Sequence, residues 1–143
     1  MTNCSGGSGG SNRIASGGWP QAESSAGSGV SAHWFVDEDG GTEALVPENR
    51  RAWHAGRGAW GRFRDVNSVS IGIEIVNPGH DGGAPPFRPA QLVATLRLCR
   101  QIMCRWRLPA AAIVAHSDTA PDRKQAPGER FPWRAFAQRG VGD

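Results

Sequence analysis

Residues 68–77 read SVSIGIEIVN. Isoleucine recurs at 71, 73 and 75, and Gly72, Glu74 and Val76 fall between them. A period of two in β-branched residues marks a strand with one face turned to a core. Glu74 breaks the pattern on the other face. A carboxylate in mid-strand is tolerated where that face is solvated or opens onto a cleft.

Working outward, VSAHWFV (30–36) alternates and is rich in β-formers, so a second strand is expected there. DEDGG (37–41) carries an Asp-Gly turn signal, and TEALVP (42–47) supplies the return strand of a hairpin. Downstream, PAQLVATLRLCRQIMCRWR (89–107) spaces its apolar residues as a helix does, with Pro89 in its first turn. The expected apolar stripe is Leu92, Leu96, Cys99 and Met103, continued by Ile102 and Trp106. AIVAH (112–116) reads as one more short strand, and a short helix is expected near Trp133–Gln138. Strands around a long helix give an α/β (α+β) domain with a mixed central β-sheet flanked by helices. Residues 48–67 lack periodicity and form a long surface loop, a feature that in compact domains usually serves function.

Composition divides the chain in two. Residues 1–29 contain seven Ser and eight Gly and few large apolar side chains, so a disordered segment is expected there. Residues 30–143 have ordinary globular composition and suffice for one core. The net charge of +3 permits an anionic partner without requiring one. Three cysteines, Cys4, Cys99 and Cys104, include no CxxC pair and are expected as free thiols in a reducing compartment. No run is apolar enough to cross a membrane and no signal-peptide pattern precedes the domain, so a cytoplasmic location is expected. If the natural start of the protein lies elsewhere, a periplasmic one is expected instead.

Glu74, His116 at the end of AIVAH, Lys124, and the loop residues Trp53 and His54 are the candidates for chemistry. Together with their neighbours they form the ordered blocks VSAHWFV, DEDG, LVPENRRAWHAG, Asn67, SIGIEIVN, AHSDTAPDRK and FPW. This order, from Val30 to Trp133, resembles the type-2 N-acetylmuramoyl-L-alanine amidases, a zinc-dependent family that hydrolyses peptidoglycan and is related to the peptidoglycan recognition proteins. The resemblance implies that Glu74 is the general base and that Lys124 steadies the developing oxyanion. It implies that His116 is a zinc ligand and that Trp53, His54 and Asn67 line the substrate groove. Muropeptides are the implied partner, with no nucleic acid or membrane involved and a monomer as the working form.

The chain departs from that pattern in two places. No histidine precedes VSAH, where the family has an opening strand carrying another zinc ligand. Ala126 stands where a ligand aspartate is expected. The expected activity is therefore amide hydrolysis impaired by missing ligands. The alternatives are a non-catalytic muropeptide-binding module or an inactive gene product. Residues 1–29 are expected to derive from a shifted reading frame or a displaced start.

Overall fold

The computed structural model describes residues 32–142. The expected disorder of residues 1–29 lies outside them. Three strands make one mixed sheet in the order β2-β1-β3. Strand β1 (Trp34–Val36) pairs antiparallel with β2 (Thr42–Ala44) and parallel with β3 (Ile73–Ile75), with Phe35 opposite Glu43 on one side and Glu74 on the other. The β1–β2 turn closes as its sequence foretells: the Asp37 N–H donates to Gly41 O at 2.8 Å, and the Gly41 N–H donates to the Asp39 carboxylate at 2.7 Å. The strands are shorter than their sequence patterns. The segments flanking β3 run beside β1 with few ladder bonds, such as Trp34 N–H to Gly72 O.

Helix α1 (Pro89–Trp106) covers one face of the sheet. Leu98 and Ile102 pack with Val36 and the isoleucines of β3, while Cys99, Phe87, Phe131, Phe136 and Val141 form an adjoining cluster. The apolar stripe differs in detail from the sequence reading. Gln91 and Thr95 are buried and Trp106 is 46% exposed. Gln91 is accommodated because its amide donates to Val76 O at 2.7 Å, satisfying a carbonyl at the end of β3's segment.

AIVAH is not a strand. Residues Ala110–Ala112 form a 3-10 turn, and His116 opens a one-turn helix, α2 (His116–Thr119). Ile113 and Val114 stay outside any ladder among the described residues, and the Ile113 N–H is used by Ala110 O. Extended backbone becomes a strand only beside a partner with free donors and acceptors. The closing helix, α3 (Trp133–Ala137), lies where it was expected.

Among the described residues, Cys99 is a free thiol and is buried. Cys104, on the exposed side of α1, is disulfide-bonded, a correction to the sequence expectation. Cys99 and Cys104 are five positions apart on the helix and face different surroundings, so they differ in accessibility. Among the described residues, no helix is long and apolar enough to cross a membrane.

Candidate functional site

Glu74 projects from β3 away from the face that packs on α1, and it is exposed. It lines a cleft of about 600 Å³ together with His54, Trp60, Phe63, His116 and Ala126. Three of the sequence-selected residues, His54, Glu74 and His116, thus share one cavity.

His54 is held from below. Its ring rests on Gly72, where a Cβ would fall well inside van der Waals contact with the imidazole. Only glycine allows this approach. The Ser70 hydroxyl donates to Val66 O at 2.5 Å, which leaves its oxygen to accept from His54 Nε2 at 3.4 Å. Burial, with repulsion from the neighbouring His33 and His116 rings whenever these are protonated acting the same way, pushes the His54 pKa down to about 4 against an opposing hydrogen bond at Ser70. The ring is therefore neutral near pH 7.

His33 lies 5.5 Å away, ring centroid to ring centroid, and is fully buried. Its Nδ1 accepts the Gly72 N–H at 2.9 Å, so its Nε2 carries the proton and donates to Arg50 O at 2.8 Å. The residue joins β1, the approach to β3 and the long loop, and it has no access to the cleft.

Asn67 is buried and its Oδ1 accepts the N–H groups of His54 and Ala55, at 3.1 and 2.8 Å. It fixes the backbone that carries His54, but does not line the cleft. Trp53 is 58% exposed, with the Arg51 guanidinium 3.7 Å from its ring centroid, and it too lies outside the cleft lining. Lys124 lines an adjoining recess of about 480 Å³ with Ser117, Gln125, and the hydrogen-bonded His80 and Glu129, 2.9 Å apart. The 125–129 segment contributes to both the recess and the cleft.

The zinc implied by the sequence resemblance does not fit the described residues. Ala55 O, which can only accept, is 2.9 Å from His116 Nε2 and 3.2 Å from Arg123 Nη2. His116 therefore donates through Nε2 and has only Nδ1 left to offer a metal. Ala126 has no ligating atom, and the described residues contain no group of three His, Cys, Asp or Glu side chains able to hold an ion. A tetrahedral site with one open position needs three protein ligands.

Sequence reasoning missed Gly72 as the seat of His54 and missed Trp60 and Phe63 at the cleft mouth. The tetrapeptide Trp60-Gly61-Arg62-Phe63, with aromatic residues flanking a glycine turn, carried a usable signal.

Comparison with known proteins finds similarity to N-acetylmuramoyl-L-alanine amidases in sequence and in fold. A family model described as N-acetylmuramoyl-L-alanine amidase matches residues 4–129, beginning well ahead of Val30. The chain is 45% identical over 103 residues to the Escherichia coli amidase AmiD, covering 68% of this chain and 37% of AmiD. It is 36% identical over 107 residues to the 1,6-anhydro amidase AmpD of Enterobacter cloacae, covering 75% of this chain and 55% of that protein. In structure it is similar to E. coli AmiD in complex with anhydro-N-acetylmuramic acid-L-Ala-D-γ-Glu-L-Lys, with a TM-score of 0.76 and 38% identity, over 82% of this chain and 50% of that one. It is also similar to AmpDh3 of Pseudomonas aeruginosa in complex with anhydromuramic pentapeptide, with a TM-score of 0.73 and 34% identity, over 79% and 51% of the two chains. The chain thus spans less than two thirds of the length of these relatives.

Proposed function

Because the chain belongs to the N-acetylmuramoyl-L-alanine amidase family, we propose that its cleft binds muropeptides at the muramoyl–L-alanine amide and that hydrolysis there is impaired. The observation that carries the reading is the exposed Glu74 in a strand of core isoleucines, opening onto the same cavity as His54 and His116. A carboxylate in that place can take a proton from a water attacking the amide carbonyl. It can return that proton to the nitrogen as the C–N bond breaks, leaving a lactyl carboxylate and the free amine of L-alanine. His54, held neutral, presents an uncharged imidazole to the ligand. Lys124 supplies positive charge across the 125–129 segment, where it suits an anionic stem peptide or a developing oxyanion.

Among the described residues this site has no metal set to act as a strong electrophile for the amide carbonyl. An amide left unpolarised reacts slowly even beside a well-placed base, so binding outlasts chemistry in this chain. Calorimetry with anhydro-N-acetylmuramoyl-L-Ala-D-γ-Glu tests the reading. Saturable binding is expected, and Glu74→Gln should preserve the fold while removing any residual hydrolysis. Absence of binding by the folded wild-type chain would overturn the proposal.

A further inference from the structure

β3 lies at one margin of the sheet, with β1 on its inner side. Alternate residues of a strand turn their N–H and carbonyl groups to opposite sides. Gly72 and Val76 use theirs on β1: Trp34 N–H donates to Gly72 O at 3.1 Å, and Val76 N–H donates to Val36 O at 3.0 Å. Ile73 and Ile75 therefore direct theirs outward, and no hydrogen bond reaches these groups among the described residues. The segment 112–116 is also extended, at Ile113 with φ −91° and ψ 111° and at Ala115 with φ −80° and ψ 159°. It lines the same cleft of about 600 Å³ as β3, yet no hydrogen bond joins the two among the described residues. Cys99 and Ile102 of α1, with Phe131, add apolar lining to that cleft.

We propose that the outer edge of β3, with the apolar lining beside it, receives an extended segment of another protein as an added strand. The inference is independent of the muropeptide reading. An open row of strand donors and acceptors is a template for such pairing. The pleat sets the sequence of the occupant. Its side chains on the face shared with Ile73 and Ile75 meet the apolar lining and must be apolar, while those between them lie on the Glu74 side. The Glu74 carboxylate is exposed and has no ion-pair partner among the described residues, so lysine or arginine suits the intervening positions. A segment alternating apolar and basic residues meets both demands. An acyl chain would fill the apolar space but leave the outward N–H groups of Ile73 and Ile75 without acceptors. Residues 1–31 contain no run of alternating apolar residues. In a second copy, β2 reads Thr42-Glu43-Ala44 and would set Glu43 either against the apolar lining or beside Glu74.

The test titrates the full chain into a fluorescein-labelled peptide, Val-Lys-Val-Lys-Val capped at both ends, and reads anisotropy. The comparators are the scrambled Val-Val-Lys-Lys-Val, the alternating peptide with every backbone nitrogen methylated, and dodecanoate as a competitor. The alternating peptide should bind at least about tenfold more tightly than either altered peptide, as main-chain pairing requires. Glu74→Lys should shift the preference to Val-Glu-Val-Glu-Val, and the wild-type comparisons decide the matter alone if that variant does not fold. Equal binding of the methylated or scrambled peptide, or complete displacement of the peptide by dodecanoate at equal concentration, would overturn strand pairing at this edge. So would a folded wild-type chain that ignores the alternating peptide. A dimer of the free chain that dissociates as the peptide binds would assign the edge to a second copy and overturn the proposal as well.

Discussion

Gly72 and His54 illustrate how one position without a side chain sets another's chemistry. Gly72→Ala places a methyl group where the imidazole now lies, so the ring must leave its seat against Ser70. The expected cost is about 1–3 kcal/mol, typical of overpacking, read as a lower urea midpoint, together with weaker muropeptide binding. An unchanged midpoint would contradict the geometry. His54 also makes stability depend on pH. Its folded-state pKa of about 4 lies below its ordinary 6.5, so the stability it contributes is intact above pH 6.5 and is lost as pH falls toward 4. The melting temperature should fall across that interval, and His54→Phe should flatten the fall. Glu74 was legible from the sequence because a charge among isoleucines contradicts its surroundings. The role of Asn67 was not, because it consists of bonds to two amides 13 and 12 residues away, and no local pattern encodes them.

Between elements, the carboxylate of Glu48 gathers β1, the long loop and the end of α1 into one node. It accepts from Trp34 Nε1 at 2.8 Å and from Trp106 Nε1 at 2.6 Å, and it is ion-paired with Arg105. Burial alone would raise its pKa, but the Arg105 guanidinium and the two indole donors outweigh this and hold it below the usual carboxylate range. Its contribution is therefore present above the ordinary carboxylate pKa and lost as pH falls through the lowered one. Glu48→Gln keeps the shape but loses the charge and should cost about 1–3 kcal/mol near neutrality, measured by urea unfolding. Loss of less than about 0.5 kcal/mol would show the node to be decorative. The hairpin and α1 were legible at this scale because an Asp-Gly turn and a 3.6-residue period are local signals. AIVAH was misread because its β-branched residues satisfy strand propensity, whereas a ladder depends on a neighbour that no local pattern reveals.

At the level of the whole molecule, the fold gathers the Glu74 carboxylate, a neutral imidazole and an aromatic turn around one cleft, but no three-ligand metal set stands among the described residues. His116 illustrates the consequence, since its Nε2 proton braces the Ala55 carbonyl. Membership of the family was readable from the order of its motifs. The separation of Lys124 into an adjoining recess was not, because it depends on how the 125–129 segment folds back. The most direct test is mass spectrometry of anhydro-N-acetylmuramoyl-L-Ala-D-γ-Glu-L-Lys incubated with the chain and an equivalent of zinc. The expected result is a ligand that stays intact over hours. Release of the free tripeptide at a rate abolished by a chelator and by Glu74→Gln would contradict it.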